Sequence, residues 1–199
     1  MLRLYETYPK LCTCREDIDK ALQLMTDTYK NGGTVLVCGN GGSCADSEHI
    51  VGELMKGFLL KRTICDERIP KDIVNYLQGA LPAISLPSQS AVLSAFINDV
   101  EPSMMYAQLV YGYAKETDLL LALSTSGNST NVVNAARVAK AMGIRVLAMT
   151  GERESRLSEL CDVTIRVPAV ETYKVQELHL PVYHYLCAMV ENEFFAKEI

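Results

Sequence analysis

The chain has 199 residues, of which 49% are hydrophobic and 22% charged, and a formal net charge of −5. That composition excludes a disordered chain and suffices for a single domain, 1–199, with a core of its own. The acidic balance argues against a nucleic-acid clamp, whose face must be basic; the longest aliphatic runs, such as Leu119–Leu123, fall far short of the roughly 18–20 residues of a membrane span; and Met1–Lys10 carries no signal-peptide pattern.

Arg15–Asn31 reads as the first helix, because Ile18, Leu22, Met25 and Tyr29 recur at helical spacing and Gly32-Gly33 follows as a stop. Thr34–Cys38 is a short apolar run rich in valine and reads as a buried strand. A glycine-rich loop follows, then a helical pattern from Cys44 to about Leu60. Residues 61–82 read as an irregular insertion with a short helix over Lys71–Leu77. Ala83–Leu86 is a second strand, with helices expected over Ser88–Ile97 and Pro102–Lys115. The second half repeats the rhythm. Strands are expected over Asp118–Leu123, Ile144–Thr150 and Val163–Val167, and helices over Thr130–Met142 and Glu152–Leu160. Tyr173–Phe195 is a long C-terminal helix in which Pro181 predicts a kink. Strands alternating with helices imply an α/β fold with a parallel sheet covered on both faces.

The seven cysteines are odd in number and scattered, and none forms a CxxC pair. This predicts reduced thiols and a cytoplasmic location.

In such sheets, ligands bind beyond the carboxyl ends of the strands, near the topological switch. Two loops at such ends stand out. Gly39-Asn-Gly-Gly-Ser43 lets backbone N–H groups approach a ligand and face an anion at the next helix start. It is neither a dinucleotide fingerprint nor a P-loop. Ser124-Thr-Ser-Gly-Asn-Ser129 offers four hydroxyls and an amide in six residues, enough to hold a phosphate without lysine. Either loop alone is also an ordinary capped helix start. Both together, at strand ends of one small chain, point to a phosphate or sugar-phosphate site.

The chain has only three histidines. His49 and Glu53 stand at i and i+4 and share a helix face. Gln176 and His184 lie eight residues apart, about 12 Å of rise and roughly 80° of rotation, so they meet at one point only through long converging side chains. His179 faces elsewhere and reads as a structural or interface histidine. The last helix is apolar on most sides, which suggests an oligomer interface.

These residues resemble the SIS (sugar isomerase) family, and within it the phosphoheptose isomerases. The matching pieces are Val35–Ser43, His49-xxx-Glu53, Asn98-Asp99, Asp118–Ser129, Ile165–Pro168, and Gln176–His179 followed by His184. The resemblance implies a three-layer αβα sandwich with a five-stranded parallel sheet, doubly wound and flavodoxin-like, assembled as a homotetramer with active sites between subunits. It implies that Ser124, Thr125, Ser126 and Ser129 hold the substrate phosphate, while Asn40, Gly41, Gly42, Ser43, Asn98, Asp99 and Gln176 line the sugar. Glu53 would be the general base and His184 the acid/base partner. Some family members carry zinc at positions matching His49, Glu53, Gln176 and His184, and no organic cofactor is implied. A glutamate that ligates zinc is a weaker base, so the two duties of Glu53 compete.

The implied reaction interconverts sedoheptulose 7-phosphate and a heptose 7-phosphate aldose through a cis-enediol. A related SIS branch binds the bacterial replication initiator without catalysis, and a sugar-phosphate sensor is a third option. The first lacks residues matching Glu53 and His184, and this chain shows no DNA-binding extension for the second, so the pattern favours the enzyme.

Overall fold

A computed structural model describes residues 3–196 of the chain. Its centre is one five-stranded parallel sheet in the order β2-β1-β3-β4-β5. The strands are β1 (Val35–Cys38), β2 (Ala83–Ser85), β3 (Leu119–Leu123), β4 (Arg145–Thr150) and β5 (Val163–Arg166). All neighbours pair in parallel, with Val35 opposite both Ala83 and Leu119. This is the flavodoxin-like order, and its switch point lies between β1 and β3.

The helices follow in chain order as α1 (Leu4–Thr7), α2 (Arg15–Lys30), α3 (Gly42–Met55), α4 (Lys71–Val74), α5 (Ser90–Asp99), α6 (Met105–Tyr113), α7 (Thr130–Ala141), α8 (Arg156–Leu160) and α9 (Thr172–Phe195). Alternation along the strands divides the core in two. Val35 and Val37 of β1 point with Leu119 and Leu121 towards α2, α3 and α9. Leu36 and Cys38 point with Leu120 and Ala122 towards α6, α7 and α8. Both faces are covered, so the strands read as continuous apolar runs.

Most expected elements stand within a few residues of their predicted bounds. The helix after β1 is the main exception: it starts at Gly42 and stops at Met55, short of Leu60. The physical reason is Arg62. Its buried guanidinium takes the carbonyls of Glu53 and Leu54 as acceptors, and these would otherwise continue the helix ladder. The helix expected from Glu152 begins only at Arg156, where Ser155 and Ser158 form a reciprocal capping box. Asp118 lies before β3 instead of opening it, and its carboxylate accepts from the N–H groups of Thr34 and Lys115. The N-terminal elements α1 and a 3₁₀ turn over Pro9–Cys14 carried no periodic signal, being only a turn or two long. Pro181 lies inside α9, which runs on as one helix to Phe195. Residues 61–82 carry α4 and an antiparallel bridge from Thr63 to Gln78. Among the described residues no helix is long and apolar enough to cross a membrane.

Candidate active site

The two unusual loops leave the sheet on either side of the switch point. The first follows β1. Gly41 takes a positive φ of 57°, which favours glycine, and turns the chain into α3. Asn40, Gly41 and Gly42 are exposed there, while Ser43 is buried. The second follows β3. Gly127 has φ 66°, and Ser124 donates to the Ser129 hydroxyl at 3.0 Å across the turn. The Ser126 hydroxyl accepts from the Asn128 N–H, which closes a local side-chain turn. A reciprocal amide pair at 2.9 Å joins Asn40 to Asn131 in the first turn of α7. That pair fixes the two loops to each other. A cleft of about 180 Å³ opens beside the second loop, against Thr125, Ser126, Gly151 and Ala169.

The ionisable residues meet where α3 packs on α9. His49 Nε2 lies 3.2 Å from Glu53 Oε1 and 3.3 Å from His184 Nε2. Two side chains from α3 and one from α9 therefore converge, although more than 130 residues separate His49 from His184. Lys56 Nζ approaches the other oxygen of Glu53 at 3.2 Å. Burial lowers the His184 pKa and the nearby His49 lowers it further, against an opposing pull from Glu53. His184 is therefore predominantly neutral at pH 7. The Phe58 ring tilts over it at 5.5 Å, and the Leu4, Tyr8 and Pro181 side chains line a cleft of about 260 Å³ on its other side.

Gln176 sits elsewhere on α9. It packs against the start of α3 so closely that a Cβ on Gly42 would lie 2.5 Å from its Nε2. It thus faces the glycine loop. Asn98 and Asp99 end the exposed helix α5 and bond to each other. His179 is buried on another face of α9, its Nε2 3.3 Å from the Thr150 carbonyl.

Three members of the cluster were missed by sequence reasoning: Asp46, Lys56 and Tyr183. Asp46, His49, Glu53 and Lys56 recur at spacings of three and four, so α3 presents them as one polar stripe. That signal was available. Tyr183 lies on α9, the helix that reads as apolar on most sides, yet its hydroxyl lies 3.0 Å from His49 Nδ1 and 3.2 Å from Asp46 Oδ1.

Among the described residues no group of three or more His, Cys, Asp or Glu is placed so that it could hold a metal ion as it stands. The donors are nonetheless of the kinds zinc takes, imidazole nitrogen and carboxylate oxygen.

The SIS domain family matches residues 10–151. A phosphoheptose isomerase of Aliarcobacter butzleri is 35% identical over 189 residues, covering 94% of this chain and 92% of that protein. The chain belongs to the phosphoheptose isomerases of the SIS family. The member from Rhodospirillum rubrum is 36% identical over 94% of this chain and 91% of its own length. Solved structures agree. A phosphoheptose isomerase from Francisella tularensis is 30% identical, with a TM-score of 0.76 over 89% of this chain and 86% of that one. That from Neisseria gonorrhoeae is 26% identical, with a TM-score of 0.74 over 94% and 97%. The chain is accordingly an aldose–ketose isomerase of the SIS fold.

Proposed function

We propose that this chain interconverts sedoheptulose 7-phosphate and D-glycero-D-manno-heptose 7-phosphate, with Glu53 as general base and His184 as its acid/base partner. The observation that carries the reading is the convergence of Glu53, His49 and His184 at 3.2–3.3 Å, where α9 packs on the helix that starts at the glycine loop. An aldose–ketose isomerase must move one proton between adjacent carbons and manage charge on one oxygen. Glu53 takes the proton from C1 of the open-chain ketose, and a donor protonates the C2 oxygen, giving the cis-enediol. Loss of the O1 proton and return of a proton to C2 completes the aldose. A neutral His184 carries one ring N–H and one lone pair, so it can donate to the substrate oxygen and later take a proton back.

The phosphate end is assigned to Ser124, Thr125, Ser126 and Ser129. Hydroxyls and the N–H groups at the start of α7 hold the anion without a lysine. Asn40, Gly41, Gly42, Ser43, Asn98, Asp99 and Gln176 are assigned to the sugar. His49, Glu53 and His184 would hold zinc, while Gln176, the fourth donor that the resemblance implies, packs against Gly42 in this structure. Bound there, zinc would polarise the carbonyl oxygen as a Lewis acid. Glu53 would then be the weaker base, so the metal and base duties remain in competition.

The same reading makes the enzyme a cytoplasmic homotetramer with sites between subunits. Supporting it, α5 has no buried residue in the single chain, although it carries Val92 and Ile97, and Val100 follows exposed at its end. An apolar helix left on the surface invites another copy. Light scattering of the purified protein tests the tetramer; a monomer at working concentration would count against it.

The function is tested by incubating the protein with sedoheptulose 7-phosphate and following the aldose. Glu53→Gln and His184→Ala are run alongside, each with added zinc and after chelation. Turnover by the parent and loss in both variants is the expected result. No turnover in any arm by a folded protein would overturn the heptose assignment.

A further inference from the structure

The hydrogen bonds behind His49 have a direction, and that direction decides what His49 offers to Glu53. The Tyr183 hydroxyl has one hydrogen and two neighbours, Asp46 Oδ1 at 3.2 Å and His49 Nδ1 at 3.0 Å. An ionised carboxylate only accepts. Among the described residues Tyr183 is the one side chain that hydrogen-bonds Asp46, and Asp46 Oδ2 is buried with no partner at all. If the phenol turned its hydrogen to His49 instead, Asp46 would lose its side-chain donor, and two oxygen lone pairs would face each other in a buried position. Leaving such a group unsatisfied costs about 1–3 kcal/mol or more for a charge, whereas Glu53, which forgoes a His49 N–H in the opposite arrangement, still has the Lys56 ammonium at 3.2 Å. The favoured arrangement is therefore His49 Nδ1–H to the Tyr183 oxygen, and Tyr183 O–H to Asp46.

We propose that Tyr183, backed by Asp46, is a positioning residue that holds the proton of His49 on Nδ1 and so presents a bare Nε2 to Glu53 and His184. The consequence follows from the same geometry. With Nε2 bare, His49 cannot donate to Glu53 Oε1, which lies 3.2 Å away. The carboxylate oxygen keeps its lone pairs for a proton or a cation. In the other tautomer, His49 Nε2–H would bond to Glu53 Oε1 and weaken it as a base. The His49 and Tyr183 rings also meet in a T-shaped contact, with centroids at 5.5 Å.

The consequence for catalysis rests on the isomerase reading above; the tautomer does not, and it is measured without turnover. Metal-free protein labelled with ¹⁵N-histidine gives ring tautomers from long-range ¹H–¹⁵N correlations. With three histidines in the chain, His179→Gln and His184→Asn variants assign the signals. His49 is expected as the Nδ1–H form in the parent. Tyr183→Phe removes its acceptor, and Asp46→Ala frees the hydroxyl to turn its hydrogen towards Nδ1, so both shift His49 towards the Nε2–H form. Asp46→Ala keeps the test open should Tyr183→Phe fail to fold. A parent His49 protonated on Nε2, or an Nδ1–H form unchanged in both variants, would overturn the proposal. Under turnover both variants should lose about 10–100-fold in kcat with KM nearly constant. Absence of turnover in the parent itself would count against the isomerase reading, while the tautomer would still decide this one.

Discussion

Arg62 and Glu191 face each other with neither side chain exposed, Nε to Oε1 at 2.8 Å. Glu191, near the end of α9, also accepts from the backbone N–H groups of Phe58, Leu59 and Leu60. Arg62 gives its remaining donors to the carbonyls of Leu54, Gly79 and Glu53. One ion pair therefore ends α3 two residues beyond Glu53, the residue assigned as base, and ties that end to α9, which carries His184. Burial alone would raise the Glu191 pKa, but the N–H groups of Phe58 and Leu59 and the Arg62 guanidinium outweigh it, and the net shift is downward.

Breaking this pair from one side should be far costlier than removing it whole. Arg62→Met or Glu191→Gln is expected to lose about 3–5 kcal/mol in urea denaturation. The double variant Arg62→Met with Glu191→Gln should lose less than the sum of the two single losses, because no unpaired charge stays buried. Strict additivity would refute this account of how α3 and α9 are joined.

Replacing the base should leave the fold alone. Glu53→Gln keeps shape and most packing, so circular dichroism and the unfolding midpoint should change little. Isomerase turnover should fall by roughly 10²–10⁴-fold, the range of a lost general base. Activity within about tenfold of the parent would remove Glu53 from that role.

The serine loop depends on one glycine. Gly127 has φ 66°, and a Cβ there would collide with the Ser155 side chain at the start of α8. Gly127→Ala should therefore cost about 1–3 kcal/mol of stability. It should also raise KM for the sugar phosphate more than it lowers kcat, because the loop is assigned to binding. Unchanged thermal stability and KM would argue against both statements.

His179 gives stability a pH dependence of predictable sign. Burial pushes its pKa down to about 4, with a small opposing effect from the Thr150 carbonyl. Its ordinary value is 6.5. Between these values the unfolded chain binds the proton and the folded chain does not, so stability rises with pH. The contribution is present above about pH 6.5 and is lost as pH falls towards about 4, amounting to about 3 kcal/mol. Denaturation curves at several pH values check this. His179→Met should flatten the slope across that window; an unchanged slope would assign it to the carboxylates instead.

The Asp46–Lys56 stripe shows what periodicity could reveal and what it could not. Spacing placed His49 beside Glu53, because i and i+4 share a face in any helix. The two loops were likewise legible, because glycine and hydroxyl residues at strand ends state their own backbone geometry. Spacing on α9 left Gln176 and His184 short of a shared point, and it gave no role to Arg62 in an irregular segment. It gave no sign of Tyr183, because the ring of a tyrosine is apolar and only its tip is polar.

The sequence by itself determined the strand–loop–helix order, the parallel sheet, both candidate anion loops and the pairing of His49 with Glu53. Each is a local or periodic property, written within a few residues along the chain. Only the tertiary structure decided that His184 meets His49, that Gln176 turns to Gly42, and that Arg62 and Glu191 stop α3. It alone decided that Tyr183 stands between Asp46 and His49. These are contacts between α3, α9 and the segment after α3, mostly far apart in sequence. Their partners are chosen by how two helices and an irregular segment pack on one face of the sheet, which no spacing within a single element records.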